Sequence, residues 1–530
     1  MTESIKKLID AGKATLGIEL GSTRIKATLI GEDLNQILAT GTHDWENQLG
    51  DGYWTYSVDS IWQGLAATIK DLQHNVEEQY GIKLQSLNAI GVSAMMHGYL
   101  AFDEKDQLLV PFRTWRNTTT SQAAKELTDL FGVNIPLRWS VAHLQQAVLD
   151  KSEHVPHISF ITTLAGYVHW MLTGNKVLGI GDASGMFPID SANKSYDAKL
   201  LAVFDALETS RVLRGNLLSL LPEVSVAGES AGSLTQAGAK LLDPSGSLKA
   251  GVLFCPPEGD AGSGMVATNA VAPTTGNVSA GTSIFAMVVM DRELTKVHHE
   301  LDIVATPVGD PVAMVHCNNG ASELAAWVRM FSRFAKVSGN PLSSDEVYEL
   351  LFEEALSGQK DAGGLLAYNY LAGEPIAGLS EGRPLFIRKP DSEFSLANAI
   401  LAQLYGVFGT LSLGMAVLAK ENVQISKMSA HGGIFRTKGV AQRILSAAIS
   451  APVSVSESAS EGGPWGMALL AAFSRSSATS LSEFLNTRVF GEQEVVTILA
   501  DPEEVAGFER YLTDYRMGLP VMAQAIKSIQ

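Results

Sequence analysis

Two short clusters of glycine and hydroxyl residues are the parts of this chain best suited to chemistry. Gly21-Ser22-Thr23 lies between the apolar run Ala14 to Leu20 and a second run, Ile25 to Ile30. Gly281-Thr282-Ser283 interrupts Gly276 to Met290, GNVSAGTSIFAMVVM, in the same way. Each reads as strand, tight turn and returning strand. Backbone N–H groups and hydroxyls in two such facing turns can hold a polyphosphate between them. A third cluster, His431-Gly432-Gly433, follows the run Gln424 to Ser429 and precedes a helical pattern through Val440, Ile444 and Ala448. Glycine at such a strand-to-helix turn permits close approach of a nucleotide base and ribose.

These turns need sheets to hold them. After the opening hairpin, Gln36 to Thr42 extends the sheet, and Asp59 begins a helical pattern with Ile61, Leu65, Ile69, Leu72 and Val76 on one face. Asn88 to Ala94 is again strand-like. A meander, a helix and a further strand suggest a mixed α/β sheet, and its echo at Gly276 to Met290 suggests two similar α/β domains. No GxxxxGK[ST] occurs, which removes the ordinary P-loop. Gly179-Ile180-Gly181 has Ser184 where GxGxxG needs its last glycine, so a dinucleotide fold gains little support.

The 530 residues suggest two to four domains at roughly 150 residues each. A net charge of −17 argues against a nucleic-acid partner, because affinity there comes from clustered cations. Only two cysteines are present, Cys255 and Cys317, both in apolar segments, so a disulfide framework is not expected and a reducing cytoplasm fits. The N-terminal MTESIKKLIDAGK carries charges throughout and does not read as a secretory signal. Ala399 to Ala419 is apolar and long enough to span a bilayer, but it lacks a basic N-terminal flank and contains Gly406, Gly409 and Gly414. It is read as a buried central helix. After a Ser-rich stretch, SRSSATS, helical character resumes around Glu503 to Met517.

Taken in order, these motifs resemble the FGGY carbohydrate kinases, most closely the xylulokinase-like pentulokinases, over roughly residues 14 to 473. LGIELGST is similar to the family's first phosphate motif, GVSAMMHG to its substrate strand, and YVHWMLTGNKVLGIGDASGMFPID to its helix with Leu-Thr-Gly and Asp-Ala-Ser-Gly. PEGDAGSG resembles the catalytic Gly-Asp loop, VSAGTS the second phosphate motif, and SAHGGIFRTKGVAQRIL the adenosine motif. The resemblance implies α/β architecture: two duplicated actin-like ATPase (ribonuclease H-like) domains with an interdomain cleft. The expected divisions are an N-terminal domain at 1–265, a nucleotide domain at 266–475 and a helical appendage at 476–530.

The resemblance assigns Asp260 the role of base, accepting the proton of a sugar hydroxyl as its oxygen bonds phosphorus. The plain alternative for a lone Asp before Ala261-Gly262 is a helix cap. Met96 and His97 become sugar contacts, with Gly98 leaving room for ligand. Trp115-Arg116-Asn117 stands where xylulokinases usually show Trp-Asn-Asp, so Arg116 and Asn117 are expected to meet the sugar while the amide leaves the exact sugar open. Glu19 replaces the usual Asp that helps hold the magnesium of Mg-ATP and is expected to act through water. Arg24 and Lys26 on the returning strand read equally well as solvated charge. ATP contacts are expected from Gly21, Ser22, Thr23, Gly281, Thr282, Ser283, Gly432 and Gly433. His316-Cys317-Asn318-Asn319-Gly320 is a polar cluster at the end of an apparent strand, with no role assigned.

The expected activity is transfer of the γ-phosphoryl group of ATP to a primary hydroxyl of a ketopentose, D-xylulose leading, with Mg²⁺ and domain closure. L-ribulose, another ketose, a polyol or gluconate are the rival acceptors. A nucleotide-binding sensor of the actin-like group without kinase activity is the rival class. The expected partners are a small-molecule sugar and ATP, with no nucleic acid and no membrane, and a homodimer is the assembly considered.

Overall fold

The computed structural model describes residues 2–455, 462–491 and 495–529. Two compact units emerge, both discontinuous in sequence. The first combines residues 1–271, 302–312 and 461–493, and the second combines 272–301, 313–460 and 494–530.

The first unit is built on a six-stranded mixed sheet. Strands Thr15–Leu20 and Arg24–Ile30 form the expected hairpin, and Ile37–Asp44 continues it antiparallel. On its other side Thr15–Leu20 pairs parallel with Ala89–Ala94, which in turn carries Leu253–Phe254 and Glu258–Gly259. Helix Val58–Tyr80 buries Ile61, Leu65, Ile69, Leu72 and Val76, the face its periodicity predicts. It starts at Ser57, whose hydroxyl accepts the Ser60 N–H, and stops at Gly81 in the left-handed region. Helix Gly462–Phe473 rejoins this unit late in the chain and packs against the first strand.

The second unit repeats the scheme. Strands Thr275–Ala280 and Ile284–Val289 form an antiparallel hairpin next to Pro311–Cys317, and Thr275–Ala280 pairs parallel with Lys427–His431. Val453–Val455 and Val496–Ile498 complete that side. The echo read from the sequence is therefore a shared topology: a hairpin whose first strand is central and parallel to the strand that follows a helix.

Helix Leu396–Lys420 is long and apolar enough to cross a membrane, yet 89% of its most apolar 18-residue stretch is buried within the protein. It is the core helix of the second unit, as its glycines and missing basic flank suggest. Residues 476–530, expected as one appendage, divide between the units: the short helix Leu481–Phe484 belongs to the first and Pro502–Ser528 to the second. Tyr515 of the latter stacks on Tyr368 at 4.5 Å, so this helix is part of the core. Cys255 and Cys317 are both buried and unpaired.

Candidate active site

In the first unit the turn Gly21-Ser22-Thr23 is braced from one side by aromatic residues. Trp45 donates its indole N–H to the Gly21 carbonyl (2.7 Å) and its backbone N–H to that of Thr23 (3.1 Å). The Tyr56 hydroxyl donates to the Ser22 carbonyl at 2.6 Å, and Tyr56 stacks on Trp45 at 4.1 Å. In a trans peptide the N–H opposes the preceding carbonyl, so the Ser22 and Thr23 N–H groups point away from this brace. The turn thus presents donors outward, as an anion site requires. Trp115 adds an indole bond to the Ser22 hydroxyl at 3.1 Å.

Beside this turn lies Glu19, with Asp260 as its acidic neighbour. Helix Asp260–Ala267 has Gly259 at its cap position, so Asp260 is the first residue of the helix rather than its cap. Its Oδ1 accepts the Met96 backbone N–H at 3.2 Å, which ties it to the end of strand Ala89–Ala94. Burial pushes the Asp260 carboxyl up to about 6, against the pull of the Met96 and Ala261 N–H groups. Burial first, then the Asp260 charge, pushes Glu19 up to about 7, with Lys26 opposing. Glu19 sits where a Cβ on Gly463 would overlap its carboxylate, so the head of helix Gly462–Phe473 can close over it only because position 463 is glycine.

Magnesium is tested by this donor set. Among the described residues no three His, Cys, Asp or Glu side chains converge as a metal cage. Two neighbouring carboxylates, with the Asp260 charge raising the proton affinity of Glu19, beside a turn whose N–H groups face outward do fit a Mg²⁺ that keeps most of its other ligands as water.

At the strand end His97 has φ +68°, a left-handed conformation costly for a residue with a side chain, followed by Gly98 at φ +104°. Both Met96 and His97 are nearly buried. The His97 ring lies 3.5 Å from the Gly185 carbonyl, and its backbone N–H helps hold down the Asp182 carboxyl. Asp182 also accepts the Thr163 hydroxyl at 2.6 Å, and burial pushes it up to about 7. Glu258 accepts the N–H groups of Gly181 (3.3 Å) and Asp182 (3.0 Å) and is pushed by burial up to about 8. Asp182 and Glu258 lie in motif segments of the sequence that by themselves assign neither a role. The Gly179-Ile180-Gly181 pair, which looked like a broken dinucleotide motif, makes room for the Glu258 carboxylate.

Arg116 and Asn117 are used differently from Met96 and His97. Asn117 is buried, with Oδ1 accepting the Trp54 N–H at 2.8 Å and Nδ2 donating to the carbonyls of Trp54 and Thr114 at 2.9 and 3.0 Å. Arg116 is exposed, lies 3.9 Å over the Trp54 ring and donates to Asn47. Both side chains therefore tie their loop to the segment that carries Asn47 and Trp54.

In the second unit a cavity of about 740 Å³ is lined by Gly281, Thr282 and Gly433. Ser283 and Gly432 adjoin it in sequence without forming its wall. Gly432, at φ +121°, lies against the Ala280 carbonyl at the end of the central strand. Tyr348 and Phe352 from helix Ser344–Ala355, the acidic Asp345, Glu349 and Glu353 of the same helix, and Arg436 and Lys438 also line it, and none of them was given a role from sequence. The capping box of Ser343 and Glu346 announces that helix, and Arg436 and Lys438 fall within the motif SAHGGIFRTKGVAQRIL.

Residues 14–260 match the N-terminal domain, and residues 276–475 the C-terminal domain, of the FGGY family of carbohydrate kinases. The chain is 24% identical over 206 residues to a xylulose kinase of Lactococcus lactis, a match spanning 36% of this chain and 39% of that relative. Its fold is similar to that of a ligand-bound xylulose kinase from Lactobacillus acidophilus, with TM-score 0.78 and 16% identity over 98% of this chain and 100% of that one. It is likewise similar to a gluconate kinase from the same organism, with TM-score 0.76 and 15% identity over 96% and 99% of the two chains. With both domain models matched in order, on two units that repeat one actin-like topology, the chain belongs to the FGGY family of carbohydrate kinases.

Proposed function

We propose that this chain is an ATP-dependent sugar kinase that phosphorylates a primary hydroxyl of a ketopentose, D-xylulose first among the candidates. The observation carrying this reading is Asp260, a carboxylate at a helix start, tied by the Met96 N–H to the strand end that bears His97. Its pKa near 6 suits it to be ionised at neutral pH and still basic enough to take a proton. In this reading Asp260 removes the hydroxyl proton as the oxygen bonds the γ-phosphorus, and the bond to the β-phosphate oxygen breaks to release ADP. His97 and Met96 orient the sugar. Arg116 and Asn117 act through the shape of their loop.

The outward N–H groups of the two turns, at Ser22-Thr23 and Thr282-Ser283, are assigned to phosphate oxygens, and the 740 Å³ cavity to adenosine, a size suited to such a ligand. Glu19 and Asp260 would hold Mg²⁺, largely through water. When bound, that ion supplies neutralisation of phosphate charge. Two buried free thiols fit a reducing compartment, and we assign the chain to the cytoplasm.

A second reading keeps the chemistry and changes the acceptor. It is favoured by Asn117, an amide fully committed to backbone where related xylulokinases carry an acid. Likeness to a gluconate kinase fold makes that acid a candidate. An assay of ADP release over D-xylulose, L-ribulose, polyols and gluconate tests both. D-xylulose giving the highest kcat/KM supports the first, and ATP binding without ADP release on any acceptor sinks kinase function.

A further inference from the structure

The polar cluster Asn318-Asn319-Gly320, which the sequence leaves without a role, lies directly behind the second turn. The Gly320 N–H donates to the Thr282 carbonyl at 2.7 Å and the Ala321 N–H to the Gly281 carbonyl at 2.9 Å. Across trans peptides this turns the Thr282 and Ser283 N–H groups away from residues 320–321. Gly281 and Thr282 form part of the cavity wall. The backbone brace does here what Trp45 and Tyr56 do for the first turn.

The brace is itself held from behind. Asn369 Nδ2 donates to the carbonyls of Asn319 (3.3 Å) and Gly320 (2.8 Å). Asn319 Oδ1 accepts the N–H groups of Leu371 and Ala372, both at 2.9 Å. Glu374 Oε2 accepts from Asn319 twice, from the backbone N–H at 3.2 Å and from Nδ2 at 3.0 Å. Asn319, Asn369 and Glu374 are all nearly or fully buried, so each lost bond strands a polar group away from water. No side chain of the three is among those lining the cavity.

We propose that Asn319, Asn369 and Glu374 are positioning residues that fix residues 318–321, and through them the Gly281-Thr282-Ser283 turn, so that its N–H groups meet the phosphates of the nucleotide. This rests on the reading of that turn as a phosphate site. The triad acts mainly on the phosphate contribution to nucleotide affinity, and only weakly on the adenosine contribution, because of residues 318–321 only Ala321 lines the cavity.

The test compares ATP and adenosine binding by calorimetry in the full chain. Asn369→Ala and Glu374→Met weaken ATP binding roughly tenfold, the equivalent of one lost bond to a buried group, while adenosine affinity stays within about twofold. Glu374→Gln keeps an acceptor oxygen for both Asn319 bonds and retains ATP affinity within about twofold, which a merely structural need for the charge would not allow. Should Glu374→Met fail to fold, Gly320→Ala gives the same readout. Its added Cβ would overlap the Gly281 carbonyl and lie 2.9 Å from the Thr282 oxygen, levering the brace off the turn. Equal loss of ATP and adenosine affinity, or variants that bind ATP like the wild type, overturns the positioning role. A wild-type chain that binds ATP no more tightly than adenosine instead removes the phosphate reading beneath it.

Discussion

Replacing Gly432 by alanine isolates the packing that shapes the cavity assigned to adenosine from the cavity wall itself. Gly432 has φ +121° and ψ 169°, a region open essentially to glycine alone, and a Cβ there would overlap the Ala280 carbonyl oxygen and lie 2.8 Å from its carbon. The neighbouring atoms are backbone of a central strand and cannot rotate aside. Backbone strain of about 1–3 kcal/mol and overpacking of about 1–3 kcal/mol put the total at about 4 kcal/mol. For a unit of this size each kcal/mol lowers Tm by about 2–4 °C, so a drop of about 8–16 °C is expected. Gly433 is the internal control, because a Cβ there meets nothing within 4 Å and yet faces the cavity wall. Gly433→Ala leaves Tm within a degree or two and lowers ATP affinity by contact with the ligand. Thermal melts followed by fluorescence, with and without ATP, read both effects. Equal Tm values for the two variants would refute the reasoning.

Three further outcomes follow from the geometry. Glu19→Gln raises the Mg²⁺ concentration for half-maximal turnover about 10–100-fold, the range for a group acting through a metal's outer shell; an unchanged Mg²⁺ titration removes Glu19 from metal binding. Tyr56→Phe deletes the donor to the Ser22 carbonyl and raises KM for ATP about 5–10-fold while sparing KM for the sugar, as one hydrogen bond of about 1 kcal/mol requires; equal changes in both constants would count against a phosphate role for the first turn. Asp182 and Glu258 titrate higher in the folded chain than when unfolded, so the folded state holds protons that the unfolded state has released. Their stabilising effect is complete below the ordinary carboxylate range and is lost as pH rises through about 7 and 8. Denaturant midpoints should fall from pH 5.5 to 8.5, with a shallower fall in Glu258→Gln; a rise over that interval contradicts it.

Much of the framework was legible because it follows local rules. Alternating β-branched runs around Gly21-Ser22-Thr23 and Gly281-Thr282-Ser283 fix the hairpins, and the spacing of Ile61, Leu65, Ile69, Leu72 and Val76 fixes the helix they form. What was not legible depends on distant segments. Trp45 and Tyr56 reach the first turn only after the strand and the loop that carry them have folded back. The return of Gly462–Phe473 to the first unit leaves no periodic signal, since an almost wholly apolar helix has no polar face from which to read its partner. Asn117 looked like a sugar ligand because motif order marks a position without saying whether its side chain faces ligand or backbone. Asn319 illustrates the reverse, a polar residue without a motif whose proposed role emerges only from its bonds to Leu371 and Ala372 and those of the adjoining Gly320 and Ala321 to the Gly281 turn.

The central claim is that Asp260 takes the proton of the acceptor hydroxyl. Sugar-dependent ADP release by Asp260→Asn, measured beside ATP binding and thermal stability, tests it most directly. The amide can still accept the Met96 N–H but is not a base, so kcat is expected to fall about 10²–10⁴-fold with ATP affinity and folding intact. Normal sugar-dependent ADP production by a folded, ATP-binding Asp260→Asn chain would contradict the account.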